Sequence, residues 1–404
     1  MKKKGHRFNR RKAWLQKIRA TVFPLVLRLA APLVFVRRRL WPHKVSLCKV
    51  SASANDGQPP FTILCGATGQ SKSFLLRLAF DNSFQESDLG RVPLRDVFRA
   101  NRDLEKDCSI VMVETNQSHY AWLNTGNWFF IPVWATGKIN LPVAEKFLKS
   151  ASVKRDLQAV RQRGYEYEVA PDEEAFKDFY HNMHVPHVSK TYGNEAIFRS
   201  YAEKRGQMEE CDLLLVKKRS QPGRHIAGIL IHYEPAEPRL WSLGVREGHF
   251  QNGLMPALYH FSFQHLMCEG FFRVNTGGSR AFLRDGVLKF KRKMSQIITD
   301  FSWAGFALKI TLFTPAAKNF LQNNPFIFQA GGAWHGAVFV DSVPSPESLR
   351  QIFKDDFHPG LAKLVIFSFA EVTKGGSNPI PPELAGQIEI RSAGELLSAR
   401  PHLP

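Results

Sequence analysis

The chain has 404 residues, of which 44% are hydrophobic and 12% aromatic. This composition excludes a disordered protein and leaves room for two or three domains. The formal net charge of +19 is unevenly placed, because residues 1–55 hold 15 Lys or Arg and no Asp or Glu. The remaining residues are nearly neutral, which argues against a broad nucleic-acid-binding surface on the body of the protein.

An N-terminal arm, residues 1–55, combines a basic segment with an apolar one. The basic segment is Lys2–Lys12, and the apolar segment, Ala20–Val36, has 17 residues that include two prolines and an arginine. Its length is at the short limit for a membrane span, and no small-residue cleavage site follows it. We expect residues 1–45 to lie on an anionic membrane surface. Docking on the protein body, a true span and RNA binding by the arm are the alternatives.

The cysteines are dispersed and form no Cys-x-x-Cys pair: Cys48, Cys65, Cys108, Cys211 and Cys268. An odd, scattered set of this kind suits reduced thiols in the cytosol. The 14 His residues include no His-Glu-x-x-His motif. The sequence therefore predicts a cytoplasmic protein, peripheral at the inner membrane face, without a metal site.

Residues 56–150 contain one motif that resembles a phosphate-binding loop, GATGQSKS at Gly66–Ser73. Such a loop needs glycine directly before its lysine, and Ser71 stands there instead. We therefore predict a polar turn between core elements rather than nucleotide hydrolysis. The predicted elements around it are a strand, loop and further helix or strand over Phe61–Phe80, and strands at Cys108–Glu114 and Asn127–Ala135.

From Tyr165 onward the periodicity alternates between strand and helix. The predicted elements, in chain order, are a strand at YEYEVA, helices at DEEAFKDFYHNMH and NEAIFRSYAEKRG, strands at CDLLLVKK, HIAGILIHY and RLWSLGVREG, a helix at NGLMPALYHFSFQHLMCEG, a strand at FFRVNTGGS, a helix at DGVLKFKRKMS, and late strands at ITDFSWAGFALKITLF and WHGAVFVD. This β-α-α-β-β-β-α-β-α-β-β order resembles that of the GNAT acyltransferase fold.

Three segments strengthen the resemblance and direct it to FemAB-type transferases, the tandem GNAT-like proteins that include the peptidoglycan aminoacyl transferases. They are the Arg-rich helix and first strand at Ser152–Val169, the stretch FKDFYHNMHVPHVSKTYG at Phe176–Gly193, and GGSRAFLRDGVLKFKRKM with its Phe-Lys pair. The resemblance implies an α/β (α+β) fold with a GNAT-like mixed central sheet, helices on both faces and two GNAT-like lobes. Residues 56–150 would form the first lobe, 151–342 the catalytic domain and 343–404 an extension without an assigned role.

The resemblance also implies a cleft for the acyl donor between two splayed strands, here Arg239–Gly248 and Phe271–Gly277. The main chain at Gly244 and Val245 would contact the donor, as would the turn at Gly277 and Gly278. In GNAT acetyltransferases a glycine-rich loop holds the CoA pyrophosphate, but Gln251–Ala257 offers only Gly253. The donor is therefore expected to be acyl-CoA or an aminoacyl-tRNA, with no metal required.

The candidate catalytic residues are Lys291 of the Phe-Lys pair, Glu247 at the end of the fourth strand, and His187. Lys291 would contact a donor phosphate or stabilise developing negative charge; a solvated helix lysine is the alternative. Either Glu247 or His187 could take the acceptor's proton. The candidate substrate-binding residues are Tyr180, His184, Tyr192, Arg280 and Asp285, of which Asp285 is also a helix-cap candidate.

These patterns together predict a bacterial-type acyl- or aminoacyltransferase that acts on an amine or hydroxyl of a cell-envelope or glycan-type acceptor. Attack would be direct, in a ternary complex, since no signature of covalent catalysis is present. Two alternatives remain. One is a catalytically degenerate GNAT scaffold that only binds a partner, and the other is a nucleic-acid-binding protein led by its arm. The sequence does not predict an oligomeric state.

Overall fold

A computed structural model describes residues 44–52, 61–80, 83–99, 102–123, 127–170, 172–193, 196, 198–250, 253–372 and 379–397. The predicted membrane contact of the arm lies outside these residues, except that Lys44–Ala52, assigned above to the arm, forms a strand. None of the described helices is long and apolar enough to cross a membrane.

Seventeen strands form two sheets. In chain order they are β1 Lys44–Ala52, β2 Thr62–Gly66, β3 Phe84–Pro93, β4 Ile110–Asn116, β5 Trp128–Pro132, β6 Trp134–Asn140, β7 Tyr165–Ala170, β8 Cys211–Lys218, β9 Gln221–Tyr233, β10 Pro238–Val245, β11 Arg273–Arg280, β12 Ile297–Phe301, β13 Ala304–Ile310, β14 Phe326–Ala330, β15 Ala333–Val340, β16 Lys363–Ser368 and β17 Ile388–Ser392.

The helices flank these sheets. In chain order they are α1 Gly69–Ala79, α2 Leu94–Phe98, α3 Arg102–Glu105, α4 Gln117–Leu123, α5 Glu145–Leu148, α6 Ala151–Gln162, α7 Glu173–Phe179, α8 Val185–Tyr192, α9 Tyr201–Arg205, α10 Leu254–Cys268, α11 Gly286–Lys293, α12 Pro315–Asn323 and α13 Pro346–Asp356. A π-helical turn, Tyr180–His184, joins α7 to α8.

Sheet B, the seven-stranded sheet, has the order β12-β6-β11-β10-β9-β8-β7. Strands β7 to β10 form an antiparallel meander, because each follows the last through a short connection or through α7 to α9. The long apolar helix α10 then crosses over, so that β11 runs parallel to β10. This mixed sheet has the GNAT-like topology that the sequence predicts.

Sheet A, the ten-stranded sheet, has the order β17-β16-β15-β14-β5-β13-β4-β2-β1-β3. At its centre, aromatic rings of a buried cluster pack edge to face. The centre of the Phe129 ring lies 5.3 Å from that of Phe326 and 5.0 Å from that of Phe328. The same buried cluster includes Ala281 and Leu288, which flank the turn after β11. The core of sheet A therefore extends to the turn that follows β11 of sheet B.

Two features of the strand order differ from the sequence prediction. The late strands expected in the catalytic half, β13 and β15, lie in sheet A, and the strand predicted at Asn127–Ala135 divides into β5 of sheet A and the start of β6 in sheet B. The reason is non-local: β13 is apolar on both faces and fits between β4 and β5. Local periodicity carries no information on which sheet such a strand joins.

In the segment that resembles a phosphate-binding loop, a carboxylate accepts the hydrogen bonds of the loop. Glu114, at the end of β4, accepts a hydrogen bond from Ser71 Oγ at 3.1 Å and a longer one from the Thr68 amide at 3.4 Å. These are groups that a phosphate-binding loop would offer to its ligand. The segment is a polar turn that leads into α1.

Candidate active site

The centre of sheet B is open. Strands β10 and β11 are joined by one residue pair, Arg239 with Asn275, and diverge beyond it. Irregularities between Leu240 and Ser242 in β10, and between Asn275 and Gly278 in β11, bend both strands just past this point. The splay that the resemblance implies is confirmed, because the two strands form no further ladder pair beyond this point. We call the gap between residues 241–245 and 278–280 the cleft.

The β10 edge of the cleft presents main-chain groups of alternate residues. The Arg246 amide donates to the Ile226 carbonyl of β9 at 2.8 Å. Because residues of an antiparallel ladder alternate between facing the partner strand and facing away, Gly244 is turned to β9, whereas Leu243 and Val245 are turned to the cleft. Of the two predicted donor contacts, Val245 therefore directs its amide into the cleft.

Gly244 has a different role: it lets the π-helical turn pack closely against β10. A Cβ atom at Gly244 would overlap the main-chain nitrogen of His184. The turn is buried, with Tyr180 and His184 7% and 6% exposed. The sequence analysis predicts a helix through both residues, and the structure continues that helix as the π-helical turn. The apolar side of the FYHNMH segment, including fully buried Met183, holds them against β10.

His184 is a neutral imidazole whose tautomer is fixed by its partners. Its Nδ1 lies 2.8 Å from the Leu243 carbonyl oxygen, so Nδ1 carries the proton and donates. Its Nε2 lies 2.9 Å from Lys204 Nζ and accepts. Burial, followed by the charge of Lys204, lowers the pKa of His184 to about 4. The Leu243 carbonyl, which faces the cleft, thus accepts its hydrogen bond from the imidazole.

Lys204 completes this cluster, and the sequence analysis missed it. Its side chain is 3% exposed, donates to Ser242 Oγ at 2.5 Å and lies 5.1 Å from the centre of the Trp241 ring. Burial, and to a lesser degree the charge of Arg199, lowers its pKa to about 8. The sequence signal for its burial is its position three residues after Tyr201, which puts both residues on one face of α9. The sequence analysis predicts a longer helix here.

On the β11 edge, Lys291 lies inside the protein and is not a solvated helix lysine. It is 3% exposed, and its Nζ donates to the carbonyl oxygens of Gly277 at 3.1 Å and Gly278 at 2.9 Å. Gly277 has a φ of 71°, which only glycine adopts readily, and this bulge exposes the two carbonyls. Burial lowers the pKa of Lys291 to about 7, with Asp285 opposing the shift and Arg239 adding to it.

Asp285 and Arg280 lie at the same edge. Asp285 caps α11 by accepting from the Leu288 amide at 2.9 Å, and burial raises its pKa, although Lys291 and Arg280 oppose the shift. The Arg280 guanidinium is held between two aromatic rings, with its carbon 4.2 Å from the Phe74 ring centre and 4.3 Å from that of Trp134.

Tyr192, the last residue of α8, reaches the same group of charges. Its side chain is 40% exposed. Burial of its inner part raises its pKa, Asp285 raises it further, and Arg280 and Arg77 oppose the shift. The structure therefore brings together four of the predicted residues, Tyr192, Arg280, Asp285 and Lys291, and adds Arg77 from the first lobe.

The remaining predicted residues are not in contact with this group of charges. Glu247 is exposed in the turn after β10. His187 is half-buried, stacks on Phe250 at 5.9 Å and has a pKa lowered by burial. Gly253, with a φ of 90°, precedes α10, and a Cβ there would lie 3.0 Å from Ala159 Cβ. Gly253 thus allows α10 and α6 to pack closely.

The cleft combines a main-chain amide, a buried ammonium, a carboxylate and an oriented guanidinium. This set can bind a carbonyl compound, stabilise an oxyanion and accept a proton. Within the described part of the chain, no three His, Cys, Asp or Glu side chains are grouped in a way that could hold a metal ion.

No protein-family model matches the chain, and no curated protein matches it in sequence. Several solved structures are similar. L-PGS from Bacillus licheniformis has a TM-score of 0.33 and 14% identity over 64% of this chain and 80% of that one. FemX has a TM-score of 0.34 and 11% identity over 66% and 88%. A tandem GNAT protein from the clavulanic acid biosynthesis pathway has a TM-score of 0.30 and 12% identity over 66% and 79%. Similarity at this level says nothing about what this chain binds or transfers.

Proposed function

We propose that this protein is a GNAT/FemAB-like acyltransferase that moves an acyl or aminoacyl group onto an amine or hydroxyl of a cell-envelope or glycan-type acceptor. One observation supports this function above the others. The cleft between β10 and β11 has the buried ammonium of Lys291 on one edge and the cleft-facing amide of Val245 on the other.

The donor carbonyl would enter between these two groups. Attack by the acceptor turns the carbonyl oxygen into an oxyanion, which needs hydrogen-bond donors fixed in advance. A protonated lysine has three N–H bonds, and the carbonyls of Gly277 and Gly278 take two of them. The third N–H of Lys291 and the amide of Val245 are the donors we assign to the oxyanion.

We assign to Asp285 the role of taking the proton that the acceptor amine or hydroxyl loses on attack. Its raised pKa makes it a better base than an ordinary surface carboxylate. His187 and Glu247 are the other residues that could do this. The new C–N or C–O bond forms as the thioester C–S bond of an acyl-CoA, or the ester C–O bond of an aminoacyl-tRNA, breaks. The departing thiolate or alkoxide then takes up a proton.

Arg280 would bind an anionic group of the acceptor. The two aromatic rings fix the plane of its guanidinium, which reduces the entropy lost when it binds a carboxylate or phosphate through two hydrogen bonds. Tyr192 lies beside it and could complete the acceptor site. A membrane-bound acceptor would suit the basic arm, residues 1–45, which we propose keeps a bacterial-type, cytoplasmic enzyme at the inner membrane face.

A catalytically degenerate scaffold is the second candidate, and one observation favours it. Gly253 is used for packing against Ala159 of α6, so the glycine expected to approach a CoA pyrophosphate has another role. Such a scaffold would bind a partner but turn over no donor. An arm-led nucleic-acid-binding protein would instead lose its function when residues 1–45 are removed, whereas an enzyme keeps activity on a soluble acceptor.

The test compares Lys291→Met with Lys289→Met, which removes an exposed lysine from the same helix. Calorimetry with acetyl-CoA and with charged tRNA identifies the donor, and native mass spectrometry of the purified protein identifies any retained CoA ester, RNA or lipid. We expect the first variant to lose at least about 100-fold in turnover and the second to keep it. Equal activity of the two variants, or no binding of either donor, would contradict the proposal.

A further inference from the structure

The loop at residues 356–361 joins α13 to β16 and lies against the helix that carries Lys291. At one end of that helix, Arg284 donates two hydrogen bonds to the carboxylate of Asp356, at 3.0 and 2.9 Å. Asp356 is 1% exposed, so this bidentate ion pair is buried on the carboxylate side. Removal of one partner from such a pair leaves an uncompensated charge.

The loop is attached at two further points. Arg292, at the other end of α11, donates to the Phe357 carbonyl at 3.0 Å. The amide of Ile298, the second residue of β12, donates to the Pro359 carbonyl at 2.8 Å. Gly360 has a φ of 102°, and a Cβ there would overlap the main chain of Ile298. The attachments precede, end and follow α11, so the loop holds the helix at both of its ends.

His358 is a buried histidine of this loop. It is 1% exposed, its Nδ1 donates to the Pro359 carbonyl at 3.0 Å, and its Nε2 is buried without a hydrogen-bond partner among the described residues. Burial lowers its pKa to about 4, with the charges of Arg292 and Lys291 adding to the shift and the hydrogen bond to Pro359 opposing it. The loop thus contributes a neutral ring that the charge of Lys291 reaches.

We propose that residues 356–361 form a clamp that positions Lys291, by pressing α11 onto β11 so that the ammonium stays on the glycine carbonyls and away from water. The clamp belongs to the segment after residue 342, to which the sequence analysis assigns no role. Its importance for catalysis rests on the proposed function of Lys291, but the position and ionisation of Lys291 can be measured without any substrate.

The charged or titratable groups that act on Lys291 are Asp285 on its own helix, Arg239 on β10 and His358 on the clamp. Of these, Asp285 alone is acidic, and it opposes the low pKa of Lys291. Burial is the largest influence on that pKa, and the proposal assigns part of this burial to the clamp. Release of the clamp should let water reach the ammonium and raise the pKa toward 10.5, the ordinary lysine value.

The experiment is an NMR titration of full-length protein labelled with ¹³C at lysine Cε, with the Lys291→Met variant identifying the signal. We expect a pKa of about 7 in the natural protein. Asp356→Asn, which breaks the bidentate pair, and Gly360→Ala, which pushes the loop off β12, should each raise it by at least one unit. Arg284→Lys keeps the charge pair and should raise it less.

Glu383→Gln is the matched control, because it breaks an exposed ion pair with Arg350 on α13 without touching the clamp. A loop with a structural role alone would lower the melting temperature of the clamp variants and leave the Lys291 titration unchanged in the folded protein. That outcome overturns the proposal. If no donor is ever turned over, the titration still decides whether the clamp controls Lys291, so failure of the two proposals is distinguishable.

Discussion

Two buried lysines stand on opposite edges of the cleft, and their surroundings differ. Lys291, on the β11 edge, donates to two main-chain carbonyls, and Asp285 is close enough to act on its pKa. Lys204, on the β10 edge, donates to a histidine and a serine side chain and lies over a tryptophan ring. In the described part of the chain, no carboxylate forms an ion pair with Lys204.

The difference shows how one type of residue can serve two purposes in one cleft. Because main-chain carbonyls of a bulge hold Lys291, its remaining N–H can act on a bound molecule without disturbing a side-chain network. Lys204 instead fixes the tautomer of His184, which in turn holds β10. The β11 edge is therefore the one we assign to chemistry, and the β10 edge is the one we assign to the framework.

The largest effect is expected from a methyl group added to each edge. Gly244→Ala would force a Cβ into the main chain of the π-helical turn, whereas a Cβ at Gly278 would meet Trp134 at an ordinary 3.4 Å. We expect Gly244→Ala to lower the free energy of unfolding by about 3 kcal/mol or more and Gly278→Ala by less than about 1 kcal/mol. Urea denaturation of both variants measures this, and equal losses would show that the β10 edge is no more rigid than the β11 edge.

The next effect is the pH dependence of stability. The pKa of Lys291 is lowered to about 7 and that of Lys204 to about 8, from an ordinary 10.5. Between the lowered value and 10.5, the unfolded chain binds a proton that the folded protein has released, so stability rises with pH in this window. From pH 7 to about pH 9.5 the gain is about 3 kcal/mol for Lys291 and about 2 kcal/mol for Lys204.

Urea denaturation of the natural protein, Lys291→Met and Lys204→Met at both pH values tests these gains. Each variant should lack its own share, with the larger share missing in Lys291→Met. Lys289→Met, on the exposed face of α11, should behave like the natural protein. Identical pH profiles in all four proteins would mean that neither buried lysine is held with a lowered pKa.

A third prediction concerns the framework on the β10 edge. Lys204→Met removes the charge that helps lower the pKa of His184, so this pKa should rise from about 4 by about one unit, or about 1.4 kcal/mol. Burial remains, so the value should not reach the ordinary 6.5. NMR of ¹⁵N-labelled histidine measures both the pKa and the tautomer. Lys190→Met, which removes an exposed lysine of α8, is the control.

In the natural protein the same spectra should show the proton of neutral His184 on Nδ1. A proton on Nε2 would contradict the assigned contact between His184 and the Leu243 carbonyl. In that case His184 Nε2 and Lys204 Nζ would both be donors and would face each other. Lys204 could then not fix the tautomer of His184.

The two edges also differ in how far the sequence predicts them. The pattern of a glycine turn and a cap residue, Asp285, predicts the helix, and the resemblance of its Phe-Lys pair to that of FemAB-type transferases singles out Lys291 among its cations. Lys204 was not found, since a lysine on an amphipathic helix ordinarily extends along the surface to reach water. The burial of His184 is likewise not predicted, because it depends on β10, a strand about sixty residues later in the chain.

The fold shows the same limit. Strand and helix patterns gave the meander and crossover of sheet B, because consecutive elements are neighbours there. Strand β6 joins sheet B although β5, just before it, lies in sheet A. Strands β13 to β17 lie in sheet A although β12 lies in sheet B. Both arrangements depend on pairings between residues far apart in the chain. By their local pattern, several apolar strands would fit each position in the sheets equally well. The packing of the complete core therefore decides which strands become neighbours.

The smallest predicted effect tests whether the β11 edge is shared with the first lobe. Arg280, in β11, lies on the ring of Phe74, which belongs to α1 beside sheet A. A double-mutant cycle with Arg280→Lys and Phe74→Leu should give a coupling energy of about 1 kcal/mol, because lysine loses the planar stacking of guanidinium. The matched cycle uses Arg77, whose guanidinium carbon is 6.0 Å from the same ring centre, and should give less than about 0.5 kcal/mol. Equal coupling in the two cycles would mean that Arg280 is not oriented by the first lobe, and the β11 edge would then be as self-contained as the β10 edge.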